Sequence, residues 1–230
     1  MKTILLTGAS KGIGFETAKQ CAQLGHTVFA IARSSAGLSQ LVEQTVNGKI
    51  IPIEMDITNP KDYPVLEQTL AHTTQLHGLI NNAGLLINNS FFDSTLDDWR
   101  NQFEVNVFGV IRLIQSLKLK LGEGSHIVNI GSMGGFQGSD KFPGLSGYSA
   151  SKGALAILSE CLNVELANLG ISVNCLALGA VQTDMLAQAF PGYKAPTNAE
   201  TMAQFISNFV LNGHSLISGK IIPVALNNPG

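Results

Sequence analysis

The stretch that decides the fold is Thr3-Ile-Leu-Leu-Thr-Gly-Ala-Ser-Lys-Gly-Ile-Gly14, which runs from an apolar segment into a glycine-rich turn. Thr3–Thr7 has the β-branched and aliphatic residues of a buried strand, and a helical pattern begins near residue 12. Glycines between a strand and a helix allow backbone N–H groups to approach a pyrophosphate at the helix N-terminus. The spacing differs from Gly-x-Gly-x-x-Gly, and no Gly-Lys-Ser/Thr follows, which excludes a P-loop. The stretch therefore predicts the first strand, turn and helix of an α/β domain.

Short apolar runs alternate with amphipathic segments along the whole chain. Several runs are apolar on both faces, as is typical of parallel strands that helices cover on both sides. The predicted strands are Thr3–Thr7, Thr27–Ile31, Lys49–Glu54, Gly78–Asn81, His126–Ile130, Ser172–Leu176 and Lys220–Val224. Helices are predicted near residues 12–24, 60–73, 95–119, 149–169 and 199–211. This alternation predicts an α/β fold: a Rossmann-type, doubly wound, seven-stranded parallel sheet with helices on both faces, in a single domain over residues 1–230.

The composition limits the classes of protein to which the chain can belong. Apolar residues make up 45% and charged residues 13% of the 230 residues, which supports a large core and excludes a disordered chain. A formal net charge of −2 argues against a nucleic-acid binder. Cys21, Cys161 and Cys175 are predicted to be reduced core thiols, and the five histidines lack metal-ligand spacing, so no metal is expected. With no signal peptide and no apolar run that could span a bilayer, we expect a cytoplasmic protein without membrane association.

The segment after the second predicted strand indicates which pyrophosphate compound the turn binds. NAD-binding folds usually carry Asp or Glu there to accept hydrogen bonds from the adenosine ribose. This chain has no acidic residue between Glu16 and Glu43; it has Arg33-Ser34 at that point and Lys11 in the turn. A guanidinium suits a ribose phosphate, and no carboxylate is present to repel it. We therefore expect NADP(H) to be preferred over NAD(H); the alternative is that Arg33 is an ordinary exposed loop residue.

A second motif, Tyr148-Ser-Ala-Ser-Lys152, places a phenol and an ammonium one helical turn apart. A free phenol has a pKa of about 10 and is a slow acid–base group at neutral pH. A cation about 4 Å away, at an effective dielectric constant of about 20, is worth about 4 kcal/mol. Lys152 is therefore expected to lower the pKa of Tyr148. The pair also occurs by chance, so its meaning depends on the other motifs.

Taken together, the motifs resemble those of the short-chain dehydrogenase/reductase family over essentially the whole chain. In the family's order they are the Thr7–Gly14 turn, Asn81-Asn82-Ala83-Gly84 after the fourth predicted strand, Ser132 at the end of the fifth, and Tyr148-x-x-x-Lys152. Asn106, in Phe103-Glu-Val-Asn-Val-Phe-Gly109, matches the family's helix asparagine. The combination is far more specific than any one motif.

The resemblance implies hydride transfer between NADPH and a carbonyl or alcohol substrate, with catalytic residues Asn106, Ser132, Tyr148 and Lys152. Tyr148 would protonate the substrate oxygen, and Ser132 would hydrogen-bond it. Lys152 would bind the nicotinamide ribose, and Asn106 would hold a water that links Lys152 to solvent. The implied cofactor-binding residues are Gly8, Ser10, Lys11, Gly12, Ile13, Gly14, Arg33, Ser34, Asp56, Ile57, Asn82, Ala83, Gly84, Tyr148, Lys152, Val181 and Thr183.

Each of these residues also has a structural interpretation when taken alone. Asn106 could satisfy a helix kink, Ser132 could belong to a strand-end turn, and Asn81 and Asn82 could close a loop. The alternative function is a non-catalytic NADP(H)-binding regulatory or scaffold protein on the same fold. Such a protein would keep the glycine-rich turn but would not need all four catalytic residues.

Two loop-rich regions, near 133–147 and 185–198, are expected to set substrate specificity. The first contains Phe142-Pro143-Gly144 and is longer than is usual in the family, and Leu178-Gly179 stands where Pro-Gly is common. The large apolar residues of these regions are either core or pocket lining: Met133, Phe136, Phe142, Met185 and Phe190. We expect a small, largely apolar carbonyl or alcohol as substrate.

Assembly is expected from the two longest predicted helices. The segments near 95–119 and 149–169 hold more apolar and small residues than one buried face requires. Family members pair these two helices across a two-fold axis. The resemblance therefore implies a homodimer or homotetramer.

Overall fold

The computed structural model describes residues 1–226, so the last four residues of the predicted domain over 1–230 lie outside the described part. Its strands are β1 (Thr3–Thr7), β2 (Thr27–Ala32), β3 (Lys49–Glu54), β4 (Gly78–Asn81), β5 (His126–Ser132), β6 (Ser172–Leu178), β7 (Val181–Gln182), β8 (Thr197–Asn198) and β9 (Ile221–Val224). Its α-helices are α1 (Gly12–Gln23), α2 (Ser35–Gln44), α3 (Tyr63–Thr69), α4 (Leu96–Phe103), α5 (Gly109–Ser116), α6 (Ser146–Leu166), α7 (Asp184–Ala189) and α8 (Ala199–Asn212). A π-helical turn at Glu104–Phe108 joins α4 to α5.

The main sheet has the strand order β3-β2-β1-β4-β5-β6-β9, and every neighbouring pair is parallel. The chain begins in the middle of the sheet, moves outward to β3, and returns to β4 beside β1. This reversal opens a crevice at the carboxyl ends of β1 and β4, which is where doubly wound sheets bind their ligands. The predicted Rossmann-type, seven-stranded parallel sheet in a single domain is confirmed.

Helices cover both faces of the sheet and bury its central strands, whereas the edge strands β3 and β9 stay partly exposed. In β1, Ile4 and Leu6 belong to one hydrophobic cluster and Leu5 to the other, and none of the three has exposed surface. Residues of α1, α2 and α8 complete the first cluster, and residues of α3, α5 and α6 complete the second. Burying one such side chain contributes about 1.5–3 kcal/mol to folding. The two clusters therefore stabilise the sheet, whose strand ends form the base of the crevice.

Several helices differ from the sequence prediction. The sequence analysis does not predict α2, a helix of ten residues that buries only Leu38 and Leu41, or α7, a helix of six residues that buries none. The helix predicted near 95–119 is interrupted by the π-helical turn. The one predicted near 60–73 reduces to a 3-10 turn at Pro60–Asp62 followed by α3.

The cysteines follow the prediction only in part. Cys21 and Cys175 are buried, but Cys161 is exposed on α6, so its prediction as a core thiol is wrong. The prediction relied on the apolar residues near Cys161 in the sequence. Two of them, Ile157 and Val164, are themselves exposed on the outer face of α6, so they do not indicate a buried position. Within residues 1–226, no helix is long and apolar enough to cross a bilayer.

A buried histidine ties the C-terminal strand to the sheet. His126, in β5, has no exposed surface; its Nδ1 lies 3.1 Å from the Val210 carbonyl oxygen and its Nε2 lies 2.9 Å from Asn174 Nδ2. Because a carbonyl only accepts, Nδ1 carries the proton and Nε2 accepts from the amide. Asn174 also donates to Ile217 O at 2.9 Å and accepts from Lys220 N at 3.0 Å, so the neutral ring satisfies the network. Burial lowers the pKa of His126 to about 4.

The free energy of unfolding should therefore decrease on acidification. The unfolded chain takes up the His126 proton near its ordinary pKa of 6.5, whereas the folded chain resists it until the pKa of about 4. The stability is complete above pH 6.5 and is lost as the pH falls towards 4, at about 1.4 kcal/mol per pH unit. Urea unfolding of the wild type and of His126→Gln across this window measures the effect. The variant should lose less stability than the wild type, and equal losses would contradict the assignment.

Candidate active site

The glycine-rich turn leads directly from β1 into α1. Gly8 and Gly12 have positive φ angles of 72° and 60°, which residues with a side chain rarely adopt. A Cβ on Gly14 would lie 2.2 Å from the Gly8 carbonyl oxygen, so any larger residue would push the turn apart. No side chain in the described structure caps the N-terminus of α1 at Lys11. The first backbone N–H groups of the helix are therefore available to an anionic ligand.

Two residues join this turn to the end of β4. The Thr7 hydroxyl accepts hydrogen bonds from the backbone N–H groups of Asn82 and Ala83, both at 3.0 Å. The Asn82 Nδ2 in turn donates to the carbonyl oxygens of Thr7, at 3.0 Å, and Gly8, at 3.2 Å. The sequence places Thr7 in the motif but does not identify it as the residue that connects the two sides of the crevice.

Charged side chains lie near the far ends of the crevice. Arg33 Nη1 is 3.7 Å from Asp56 Oδ2, and Lys11 Nζ is 3.9 Å from Asp184 Oδ2. Asp56 is fixed by Thr58, whose N–H and hydroxyl donate to Oδ1 at 2.9 and 2.7 Å. The two cationic side chains are largely exposed, and such surface pairs are worth about 0–1 kcal/mol. Arg33 and Lys11 can therefore leave these partners for a more highly charged anion.

Ser132 and Tyr148 border the middle of the crevice. Ser132 ends β5, and its Oγ accepts from the Gly134 N–H at 3.1 Å. Tyr148 lies in the first turn of α6. Burial raises the pKa of Tyr148 to about 12, and the hydrogen bond with Ser132 acts in the opposite direction. The phenol is therefore protonated at neutral pH and can donate a proton to an acceptor in the crevice.

Lys152 lies one helical turn beyond Tyr148, but its ammonium is bound elsewhere. Nζ donates to the Ile130 carbonyl oxygen at 2.7 Å and lies 5.9 Å from the centre of the Tyr148 ring. Burial lowers the pKa of Lys152 to about 8, so the side chain is still largely cationic at neutral pH. The expectation that Lys152 lowers the pKa of Tyr148 is wrong in this structure, because burial of the phenol dominates.

Asn106 holds the segment after Gly84 in place. It lies in the π-helical turn, a feature that often marks functional sites, and it has no exposed surface. Its Oδ1 accepts from Leu85 N at 2.8 Å, and its Nδ2 donates to Leu85 O at 2.9 Å. A Cβ on Gly84 would lie 3.3 Å from Asn106 Oδ1 and 3.4 Å from Lys152 Nζ. The carboxamide thus positions the backbone beside Lys152, and its role in holding a water stays a prediction.

Ser151 is a residue of this site that the sequence analysis does not identify. Its buried hydroxyl accepts from Asn106 Nδ2 at 2.9 Å and donates to the Tyr148 carbonyl oxygen at 2.7 Å. The hydroxyl therefore connects the π-helical turn to the part of α6 that carries Tyr148 and Lys152. In the sequence, the one feature that points to Ser151 is its position directly before Lys152 in the Tyr148–Lys152 motif.

One cavity of about 960 Å³ brings these residues together, near the upper end of the roughly 300–1,000 Å³ usual for ligand sites. Of the predicted site residues, it is lined by Gly8, Ser10, Lys11, Gly12, Ile13, Gly14, Arg33, Ser34, Asp56, Ile57, Asn82, Ala83, Gly84, Ser132, Tyr148, Lys152, Val181 and Thr183. Asn106 is the exception among the predicted residues and lies behind the wall. The predicted specificity regions contribute Met133, Phe142, Met185 and Phe190, whereas Phe136 is not part of the lining.

The chain is similar in sequence and fold to known proteins. A family model described as short chain dehydrogenase matches residues 2–194. The chain is 37% identical over 190 residues to an L-xylulose reductase from Caenorhabditis elegans, a match that covers 80% of this chain and 73% of that protein. It is 32% identical over 209 residues to a 3-oxoacyl-[acyl-carrier-protein] reductase from Synechocystis sp., covering 88% and 80%. A short chain dehydrogenase from Burkholderia cenocepacia, solved in complex with NADP, superposes with a TM-score of 0.86 at 29% identity, covering 100% of this chain and 98% of that one.

The chain belongs to the short-chain dehydrogenase/reductase family and is an oxidoreductase of that type. The resemblance found in the motifs is thereby confirmed. The two relatives have names that describe different substrates, so the substrate of this chain has to be argued from its own cavity.

Replacing Ser151 by Ala should slow turnover more than it weakens the fold. The change removes the link between Asn106 and the turn that carries Tyr148, so we expect kcat to fall about tenfold while the KM for cofactor changes little. Ser159 offers a matched control on the same helix: it accepts from Asn129 Nδ2 at 2.8 Å and donates to Leu155 O at 2.7 Å. Ser159→Ala should lower the melting temperature similarly but leave kcat unchanged. Equal effects of the two variants on kcat would show that Ser151 is merely structural.

Proposed function

We propose that the protein transfers hydride between NADPH and a small, largely apolar carbonyl or alcohol substrate, with Tyr148 as general acid and base. The observation that carries this proposal is that Tyr148, Ser132 and Lys152 line the same cavity as the Gly8–Gly14 turn. A proton donor, a hydrogen-bonding hydroxyl and a cation thus border one space that also has the features of a pyrophosphate site.

The residues around the turn fit a dinucleotide. Gly14 packs directly against the Gly8 carbonyl and keeps the turn tight, and the uncapped start of α1 offers backbone N–H groups to the pyrophosphate. Asp56 and Ile57 would lie beside the adenine, and the Asn82–Gly84 segment would contact the cofactor from the β4 side. Val181 and Thr183 would lie at the carboxamide. When bound, the nicotinamide would supply the hydride for reduction or accept it in oxidation.

The charges near the end of β2 favour NADP(H) over NAD(H). Arg33 follows β2 where NAD-binding folds usually have an acidic residue, and its side chain is 76% exposed and free to turn. Asp56 lies at the end of β3 instead, and one of its oxygens is already bound by Thr58. Lys11 adds a second cation in the turn. Charge-assisted hydrogen bonds to a ribose phosphate are stronger than either surface ion pair.

The proton chemistry follows from burial. The pKa of about 12 keeps Tyr148 protonated at neutral pH, so it donates its phenolic proton to the carbonyl oxygen during reduction. The Ser132 hydroxyl donates a hydrogen bond to the same oxygen and stabilises the charge that develops there. Lys152, which lines the same cavity, would hold the nicotinamide ribose. Oxidation would start from the Tyr148 phenolate, so its rate should rise as the pH approaches the pKa of Tyr148.

We also propose that the enzyme assembles as a homodimer or homotetramer in the cytoplasm. Phe108, Ile157 and Val164, on the outer side of the π-helical turn and α6, are 50%, 58% and 76% exposed. A second copy packed on these helices would cover apolar side chains that are otherwise in water. Light scattering at micromolar concentration should give at least twice the mass of one chain, and a monomer would contradict the assembly.

Replacing Tyr148 by Phe tests the proposed function most simply. The change removes the phenolic proton and keeps the ring, so kcat should fall by about 10²–10⁴ while NADPH still binds. NADPH oxidation with a ketone measures turnover, and cofactor fluorescence measures binding. Undiminished turnover would contradict the role of Tyr148. NADPH binding without turnover in the wild-type protein, against any carbonyl compound tested, would favour the non-catalytic regulatory or scaffold protein.

A further inference from the structure

Three chain segments meet beside the cavity: the loop after β4, the turn before α6, and the end of α7. Asn88 Nδ2 donates to the carbonyl oxygen of Ala189, the last residue of α7, at 2.7 Å. The Asn89 N–H donates to the Gly144 carbonyl oxygen at 3.1 Å. Gly144 has a φ of 81°, and a Cβ there would lie 1.9 Å from Asn88 Oδ1, so the turn fits closely around the asparagine. We name Asn88, Asn89, Gly144 and Ala189 the asparagine clasp.

The clasp positions two phenylalanine rings. Phe142 lies two residues before Gly144, and Phe190 directly follows Ala189. The two ring centroids are 6.1 Å apart and the ring planes are inclined by 63°, which is an edge-to-face contact. Both rings line the cavity. Since the chain runs from Phe142 through a single turn into α6, this aromatic pair forms a wall near Tyr148.

The remaining lining of this region is mostly apolar. The side chains that accompany the two rings are Leu86, Met133, Leu145, Met185, Leu186 and Tyr193, which adds one hydroxyl. The three cationic side chains of the described lining would be engaged by the cofactor in the function proposed above: Lys11 and Arg33 by its phosphates, and Lys152 by its ribose. The described lining beside the two rings then offers no cation to a carboxylate or phosphate on the substrate, and burying such a group uncompensated is costly.

We propose that the Phe142–Phe190 pair, held by the asparagine clasp, selects an uncharged ketone that carries one compact aromatic or alicyclic ring. This inference rests on the function proposed above. In reduction, the carbonyl carbon gains a hydride from NADPH, which is oxidised to NADP⁺, and the oxygen gains the Tyr148 proton, giving a secondary alcohol. A single ring packs against the phenylalanines and the methionine thioethers. In the proposed complex the two phenylalanine rings leave space for one ring of the ketone, and a fused second ring would collide with them.

The test compares acetophenone with the bulkier 2-acetonaphthone, using NADPH oxidation by the complete protein. The wild type should favour acetophenone in kcat/KM by about tenfold or more. Phe142→Ala and Phe190→Ala should each raise kcat/KM for 2-acetonaphthone about tenfold relative to acetophenone, because the wall has been removed. Phe136→Ala is the matched control: it lies in the same loop, is not part of the lining, and should keep the wild-type preference.

The clasp is tested separately by a pair of neighbouring variants. Asn88→Ala removes the hydrogen bond to Ala189 and should shift the preference in the same direction as Phe190→Ala, by about threefold or more. Asn89→Ala keeps the backbone N–H that binds Gly144, so it should behave like the wild type. Identical preferences in the wild type and Asn88→Ala would overturn the role of the clasp.

Two results would overturn the substrate class. One is a wild type that reduces both ketones with equal kcat/KM; the other is a loss of activity on both ketones in the phenylalanine variants without a change of preference. A wild type that binds NADPH and reduces neither ketone also contradicts the inference, but it leaves the cofactor site intact. A protein that does not bind NADPH at all would instead contradict the proposed function.

Discussion

The hydrogen bonds between Thr7 and Asn82 are the constraint on which the site depends. They join the ends of β1 and β4 at the point where the strand order reverses, and they span 75 residues of sequence. The same contacts fix the Gly8 carbonyl, against which Gly14 is packed without room for a side chain. The Gly8–Gly14 turn and the segment that leads to Gly84 are therefore held together, and Asn106 extends these contacts from Leu85 to Ser151, next to Lys152.

Burial then determines the acid–base character of the cavity. Burial disfavours the charged form of each side chain, the phenolate of Tyr148 and the ammonium of Lys152. It therefore raises the pKa of Tyr148 to about 12 and lowers the pKa of Lys152 to about 8. The result is a neutral proton donor beside a lysine that is close to losing its charge. The ammonium has three N–H donors and gives one to the Ile130 carbonyl, so it can keep this bond and also donate to the ribose of a bound cofactor.

The sequence predicts the sheet and the position of the cavity well, because both depend on local patterns. Buried parallel strands such as Thr3–Thr7 are continuous apolar runs, and the glycines of the turn stand next to one of them. The helix α2 escapes prediction because it buries only two leucines, and α7 because it is six residues long and none of them is fully buried. The direction of the Lys152 side chain cannot be predicted either, since its partner, the Ile130 carbonyl, is a backbone group 22 residues away.

The asparagine clasp shows the same limit more clearly. Asn88 and Ala189 are separated by 101 residues, and no spacing or periodicity relates them. The residues that would perform the chemistry are therefore visible as short motifs, whereas the contacts that would shape the substrate space come from the tertiary structure. Phe142 and Phe190 are apolar loop residues in the sequence and become a wall only through their edge-to-face contact.

The central claim is that this crevice is an NADP(H) site whose ribose phosphate is recognised by Arg33 and Lys11. A side-by-side titration of the wild-type protein with NADPH and NADH, followed by cofactor fluorescence, tests it most directly. Since a charge-assisted hydrogen bond is worth about 1.5–3 kcal/mol, NADPH should bind at least about tenfold more tightly than NADH. Equal affinity for the two cofactors, or no binding of either, would contradict the account.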